Sequence, residues 1–477
     1  MVFSSLFFVF LFFALNMLIY SLVRGIKAKN IVLLIFSIIF YSWAGPKFLL
    51  LLLGMVVIAW ICANHIGANV GTPKAKKFLI ADLVLQLGLL MVFKYLNFFT
   101  GITSGLLGFP DKATAIILPV GISFYTFQLI SYVVDVYRGE IKPQKKFFNL
   151  LLYASLFHQC IAGPIVRYQL IEDEITDRHV SLEDFCAGVK RFTYGLAKKA
   201  ILANGCAAVA DNLFSDDAGI LSALPAGGLW LGLLFFMLEI YLDFSAYSDM
   251  AIGMGRMVGF HYAENFNLPY VANSIKDFWN RWHISLSTFF RDYVYIPLGG
   301  NRKGTARQIV NLFIVWGLTG FWHGASWNYM LWGLYFFVFI TIENLGWGKL
   351  LKKLPGFVGH IYALIVIYFG WALFRLETLS NLGIALKGMF TGNGIGFMNA
   401  STMIILKNNL FLLIFCIIVC TPLIGWIGKV MKNLIIKKWN KPGLWYAYEV
   451  FMPVFMLFIA LIALIGNSYN PFLYFQF

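Results

Sequence analysis

Apolar runs of about 20 residues recur along the whole chain and constrain its fold more than any other sequence feature. A helix needs roughly 20 consecutive apolar residues to cross the hydrocarbon layer of a bilayer. Candidate spans cover residues 2–23, 31–44, 47–65, 78–99, 113–136, 192–213, 229–252, 307–323, 325–345, 357–374, 408–430 and 446–466. Because the second and third runs are short or joined by a tight turn, we predict ten to twelve transmembrane helices.

Composition supports this interpretation. Of the 477 residues, 60% are hydrophobic and 12% are charged, whereas soluble globular domains carry about 25% charged residues. There is too little polar surface to cover a water-soluble particle, which excludes a secreted domain, a disordered scaffold and a soluble enzyme. We predict an all-α polytopic membrane protein.

No low-complexity linker or internal repeat divides the chain, so we expect one integrated domain over residues 1–477. Within it, residues 1–146 contain the N-terminal spans, 147–345 the core with the candidate motifs, and 346–477 the C-terminal spans with an aromatic tail. Residues 147–200 and 256–306 mix apolar, aromatic and charged residues. Segments of that kind lie along the membrane interface or enter the membrane and return.

The formal net charge is +15, from 37 basic and 22 acidic residues. The basic residues form short clusters between apolar runs, where cytoplasmic loops carry excess Lys and Arg. Placing both termini outside the cytoplasm puts every such cluster inside. Membrane lipids therefore explain this charge better than nucleic acid does.

His323 is the strongest candidate for a catalytic group. It lies in the run Gly320-Phe-Trp-His-Gly-Ala-Ser-Trp-Asn328, at the end of one apolar span and the start of the next. Glycines on both sides allow close approach of backbone or ligand, and the tryptophans supply flat apolar walls. The pattern predicts a narrow channel around one base, lined by Gly320, Trp322, Gly324 and Trp327. An interfacial aromatic belt would explain the tryptophans but not a histidine between glycines.

His283 is the second candidate, in Phe278-Trp-Asn-Arg-Trp-His-Ile-Ser-Leu-Ser287. An interfacial helix anchored by tryptophan and Arg281 would give a similar pattern. Downstream, a Gly-rich turn carries Arg302 and Lys303. Backbone N–H groups and two cations suit a phosphate, but the spacing of a P-loop is absent.

Metal and thiol chemistry is not indicated. The six cysteines form no C-x-x-C pair, and the sequence contains no H-E-x-x-H or G-x-S-x-G motif. These spacings mark zinc sites and serine hydrolases. We predict neither a metal site nor a bound cofactor.

Several sequence runs together resemble the membrane-bound O-acyltransferase family. Within this family, they are most similar to the membrane subunits of bacterial alginate and peptidoglycan O-acetyltransferases. The teichoic acid D-alanyl transferase is a near relative of that branch. The runs are Tyr241-Leu-Asp-Phe-Ser-Ala-Tyr-Ser-Asp-Met-Ala-Ile-Gly253, Asn265-Phe-Asn-Leu-Pro-Tyr270, Phe278-Trp-Asn-Arg-Trp-His283, Arg291-Asp-Tyr-Val-Tyr-Ile-Pro-Leu-Gly-Gly-Asn-Arg302 and Trp322-His-Gly-Ala325. The likeness covers most of the chain.

The resemblance implies a helical body around a central tunnel, with an acyl thioester entering from the cytoplasm and a hydroxyl acceptor from outside. By position, His323 matches the catalytic histidine and His283 the second polar position of the family. A neutral imidazole that accepts the hydroxyl proton accelerates such a reaction by about 10²–10⁴-fold. Acetyl-CoA is the expected donor, with its phosphates near Arg281, Arg302 and Lys303.

Family members of this branch act with an extracytoplasmic partner protein that places the group on a polysaccharide, so the resemblance implies such a partner and a bacterial cell membrane location. The C-terminal run Asn470-Pro-Phe-Leu-Tyr-Phe-Gln-Phe477 resembles the terminal motif of related complexes. Tyr474 is therefore a possible acyl relay, although an interfacial aromatic belt would explain the run as well.

Three other interpretations stay open. The donor could be an acylated carrier protein, as in the D-alanyl branch. A transporter or flippase for acyl or glycan substrates would also be polytopic, but it would show paired repeats. The chain could also be a structural membrane module whose partner performs the chemistry.

Overall fold

The computed structural model describes residues 1–43, 45–107, 117–160 and 163–466. These residues form helices and connecting segments, and no strand occurs among them. Besides seven long apolar helices, the chain forms the helices Phe8–Phe13, Ala14–Leu22, Ile26–Ser42, Ile122–Arg138, Phe147–Ser155, Glu172–Thr176, Leu182–Ala197, Lys198–Ala203, Asn204–Leu213, Ala218–Ser222, Ile275–Arg281, Ile284–Phe290, Arg291–Tyr295, Thr305–His323, Leu379–Thr391, Leu423–Asn433 and Leu434–Lys438.

Seven helices of the described part are long and apolar enough to cross a membrane. They are Pro46–Gly67, Pro73–Ser104, Ala226–Met257, Trp327–Leu351, Gly356–Arg375, Ala400–Val419 and Pro442–Gly466. The predicted class, an all-α polytopic membrane protein, is confirmed. Other predicted spans coincide with shorter or less apolar helices such as Ile26–Ser42 and Thr305–His323, so a total of ten to twelve spans stays a prediction.

Two predicted spans have different bounds in the structure. The helix expected over 113–136 begins at Ile122, because Gly121 before it has a left-handed backbone with φ of +76°. The span expected over 408–430 ends at Val419, and a separate helix begins at Leu423. Pro422 stands between them, and proline cannot continue a helix that precedes it.

The described residues group into two compact units. The first comprises residues from Met1–Phe192 and Met250–Ala263. Its core contains aromatic rings, and Phe157 lies 5.3 Å from Phe12 and 5.8 Å from Phe40 between ring centroids. The guanidinium group of Arg178 stacks 4.4 Å over Phe260 and donates to the Val258 carbonyl at 2.9 Å. These contacts anchor residues 256–263 to this unit.

The second unit comprises Thr193–Asp249 and the described residues from Glu264 onward, and it contains both candidate histidines. An ion pair is buried inside it: Lys199 Nζ lies 2.8 Å from Asp243 Oδ1, with side chains 3% and 2% exposed. Ionisable residues inside membrane helices are costly unless they are paired. The pair therefore joins the helix that carries Lys199 to the helix Ala226–Met257.

Candidate active site

A tight helical hairpin positions His323. His323 is the last residue of the helix Thr305–His323, and the next helix begins at Trp327. A Cβ atom on Gly320 would lie 2.4 Å from the carbonyl oxygen of Tyr329, and one on Gly333 would lie 2.4 Å from that of Trp316. Only glycine allows this backbone approach, so these two positions fix how the hairpin closes.

Gly324 has a similar packing role beside His323. A Cβ atom there would lie 2.3 Å from two ring carbons of Tyr329. The φ of −175° is an extended conformation that any residue adopts, so space is the constraint. Tyr329 thus fills the room beside Gly320 and Gly324, where we expected a channel. Their lining of a tunnel stays a prediction.

Aromatic rings enclose the His323 imidazole, which is 4% exposed. The centroids of Trp322 and Trp332 lie 4.8 Å from it, and that of Phe374 lies 5.3 Å from it, all edge-on. Asn328 holds this wall in place, because its amide donates to the carbonyl oxygens of Leu373 and Phe374 at 3.3 and 3.4 Å. The surroundings of His323 are consequently apolar and shielded from bulk water.

His283 is equally buried, at 1% exposure, between two short helices. Its Nδ1 lies 3.1 Å from the side-chain oxygen of Asn265, and its ring meets Phe244 edge-on at 4.7 Å. Burial lowers the pKa of His283 to about 3. The ring is therefore neutral at physiological pH, which is the state that can accept a proton.

Trp322 brings the two histidines into one site. Its ring centroid lies 4.8 Å from His323 and 6.1 Å from His283. Trp327 is 55% exposed, so this residue lies at the surface. The structure thus brings three of the predicted site residues, His283, Trp322 and His323, close together. Their catalytic roles stay predictions.

The basic residues predicted to bind the donor lie in different surroundings. Arg281 Nε contacts Asp277 Oδ1 at 2.8 Å on the same helix, so part of its charge is already neutralised. Arg302 and Lys303 are exposed in the glycine-rich turn, and their part in donor binding stays a prediction. Tyr474 falls outside the described residues.

A cavity of about 340 Å³ opens beside the residue that follows His283. It is lined in part by Trp279, Asn280, Ile284, Ser287, Thr288 and Arg291. Trp279 also packs edge-on against Trp332 at 5.6 Å, and the Trp332 ring lies 4.8 Å from that of His323. Within the described part of the chain, no group of His, Cys, Asp and Glu is arranged to hold a metal ion.

Comparison with known proteins identifies the family. Residues 140–374 match the sequence profile of the membrane-bound O-acyltransferase family. A probable alginate O-acetylase of Azotobacter vinelandii is 35% identical over the full length of both chains. The chain belongs to this family. Its family membership makes it an acyltransferase, and its several helices that are long and apolar enough to cross a membrane make it a multi-pass membrane protein.

Two further relatives extend the comparison. A probable alginate O-acetylase of Pseudomonas aeruginosa is 39% identical over 82% of this chain and 75% of its own. A peptidoglycan O-acetyltransferase of Helicobacter pylori is 32% identical over 84% of this chain and 82% of its own. The predicted family and enzyme class are both confirmed. The part of the chain matched by the family profile contains His283 and His323.

Two site features escaped prediction from the sequence. Asn265 and Arg291 both stand in the runs that resemble the family, but the sequence predicts neither as a site residue. A buried asparagine beside a histidine has no characteristic spacing, because the two residues are 18 positions apart. By contrast, the sequence does indicate the Lys199–Asp243 ion pair, because a charged residue inside an apolar span needs a buried partner of opposite charge.

Proposed function

We propose that the chain transfers an acetyl group from a cytoplasmic thioester, acetyl-CoA, to a hydroxyl group of an extracytoplasmic polysaccharide. The observation that carries this proposal is the pair of buried histidines on either side of Trp322 in a chain of this family. The names of its relatives, alginate and peptidoglycan acetylating enzymes, support acetyl as the acyl group and a cell-envelope polysaccharide as the acceptor.

His323 is assigned the role of general base. It takes the proton of the acceptor hydroxyl as the oxygen attacks the thioester carbonyl, and the C–O bond forms while the C–S bond breaks. The imidazolium then returns that proton to the departing sulfur, so CoA leaves as a thiol. His283 supplies a second neutral imidazole. The apolar wall around His323 excludes water, which would otherwise hydrolyse the thioester.

The cavity beside Ile284 is assigned to the donor. Its volume of about 340 Å³ lies within the usual range of small-molecule sites. Ser287 and Thr288 are among its lining residues, and Arg291 offers a cation for phosphate. Arg291 Nε also contacts Asp292 at 2.6 Å, so it offers less than a full positive charge. Arg281, Arg302 and Lys303 stay possible additional contacts.

The proposal includes the arrangement in the cell. Both chain termini lie outside the cytoplasm of a bacterial cell, the chain forms one integrated domain, and an extracytoplasmic partner protein places the group on the polysaccharide. The positive-inside distribution of Lys and Arg supports this orientation. If Tyr474 is an acyl relay, its hydroxyl is the first acceptor that attacks the thioester, and the acyl group then passes to the external partner. This part of the proposal rests on the C-terminal motif alone.

Native membranes solubilised in mild detergent test the donor, because they retain the partner. Acetyl-CoA and a D-alanylated carrier protein are supplied separately with alginate or peptidoglycan fragments, and free thiol is measured. We expect acceptor-dependent thiol release from acetyl-CoA alone. Release from the carrier protein alone would replace the proposal by D-alanyl transfer. Movement of labelled glycan across sealed membranes without consumption of either thioester would favour a transporter.

A further inference from the structure

Asn265 forms a hub of hydrogen bonds around His283. It is completely buried, at 0% exposure. Its side-chain oxygen Oδ1 lies 3.1 Å from His283 Nδ1, and it accepts from the backbone N–H of Ser285 at 3.2 Å and from the Ser285 hydroxyl at 2.9 Å. Its Nδ2 donates to the Ser248 hydroxyl at 3.2 Å. Every polar atom of this side chain is therefore used.

These contacts define which ring nitrogen of His283 carries the proton. A backbone N–H can only donate, so the Asn265 atom facing Ser285 is the oxygen rather than the nitrogen. An amide oxygen can only accept, and His283 Nδ1 must then be the N–H. In the neutral ring the other nitrogen, Nε2, has a lone pair and no hydrogen.

The remaining nitrogen of His283 is buried and unsatisfied. Nε2 has no hydrogen-bond partner among the described residues. Buried polar atoms in proteins are normally paired, and an exception calls for an explanation such as a catalytic role. A lone pair that is held in a shielded site and left unused is available to accept a hydrogen bond from a substrate.

The backbone at His283 indicates the same constraint. Its φ of +43° and ψ of +55° are left-handed, which is uncommon for a residue other than glycine. Such a conformation is energetically unfavourable and persists only where the surroundings impose it. Here the Asn265 backbone carbonyl accepts from the N–H of Ile284 at 2.9 Å. Asn265 thus holds His283 through both its side chain and its backbone.

We propose that Asn265 is a positioning residue that fixes the tautomer and direction of His283, so that Nε2 is the atom that accepts a hydrogen bond from substrate. This inference rests on the proposed function, in which His283 belongs to the active site. Asn265 touches no reacting atom. It acts only through the imidazole that it holds.

A double-mutant cycle tests this dependence. Activity per folded protein is measured in native membranes for Asn265→Ala, His283→Ala and the double variant. We expect Asn265→Ala to lower kcat about 10- to 100-fold with little change in KM. Losses of this size follow in other proteins when a residue that orients a functional histidine by a hydrogen bond is removed. In the His283→Ala background the same substitution should have no further effect. Equal effects in both backgrounds would overturn the proposal, because Asn265 would then act independently of His283.

An Asn265→Asp variant provides a readout that a purely structural role would not change. A carboxylate at this place favours the imidazolium form, and an opposite charge within about 4–6 Å raises a histidine pKa by about 1–3 units. The charged ring cannot accept a proton. The acidic limb of the kcat–pH profile should therefore move to higher pH by at least about one unit, while activity above that limb is retained.

Asn399→Asp is the matched control. Asn399 caps the helix Ala400–Val419 through a 2.8 Å bond to the Thr402 N–H, and aspartate caps equally well. Its pH profile should equal that of the unchanged protein. An unshifted profile in Asn265→Asp would contradict the claim that Asn265 acts through the His283 imidazole. Full activity of His283→Ala would instead refute the role of His283 in the proposed function, so the two failures are distinguishable.

Discussion

Replacing His323 by alanine is expected to lower the rate of acyl transfer by about 10²–10⁴-fold, the usual contribution of a positioned acid–base group. The substitution removes the group that takes the hydroxyl proton and returns it to sulfur. It leaves the hairpin intact, because the backbone contacts at Gly320 and Gly333 do not involve the imidazole. The acetyl content of exported polysaccharide, measured in cells with equal amounts of the chain in their membranes, reports the effect.

His65→Ala is the matched control for that experiment. His65 is exposed, and its ring stacks on Phe78 at 4.5 Å in the first unit. We expect unchanged acetylation in this variant. Normal acetylation in correctly inserted His323→Ala protein would show that another chain performs the chemistry, and the structural-module interpretation would replace the assignment of His323.

A single methyl group at Gly320 should destabilise the protein by about 1–3 kcal/mol, because overpacking at a closely packed contact forces the surrounding structure to shift. The added Cβ atom would lie 2.4 Å from the Tyr329 carbonyl oxygen, which is backbone and cannot rotate away. The two helices would have to separate, and His323 would move with them. The fraction of Gly320→Ala protein that stays monodisperse in detergent after heating measures this loss.

Gly317→Ala in the same helix is the appropriate comparison. No heavy atom lies within 4 Å of a Cβ atom built at Gly317. Alanine there should stabilise the helix by about 0.5–1 kcal/mol, the usual difference between these residues in a helix interior. Equal heat resistance of the two variants would contradict the packing role that we assign to Gly320.

Hydropathy and motif order were sufficient to predict the fold class and the family, whereas the catalytic roles of His283 and His323 stay predictions. Long apolar runs define the helices directly, because a bilayer imposes their length. The predicted ends of two helices were wrong where a proline or glycine interrupts an apolar run, as at Pro422 and Gly121. Both residues are visible in the sequence, but their effect inside a hydrophobic stretch depends on the neighbouring helices.

The roles of the small and polar residues could not be predicted in the same way. Glycines beside His323 suggested room for a ligand, whereas Tyr329 occupies that room. Which partner fills the space beside a glycine depends on tertiary packing. Likewise, nothing in the sequence indicates that Asn265 meets His283, because that contact forms between separate segments.

The central claim is that donor and acceptor reach one buried histidine site from opposite sides of the membrane. Right-side-out vesicles from native cells, loaded internally with acetyl-CoA labelled in its acetyl group, test it most directly. The expected result is label in the external polysaccharide with the unchanged chain and not with His323→Ala. Label that enters the polysaccharide only when acetyl-CoA is supplied outside, or equally in both proteins, would contradict the claim.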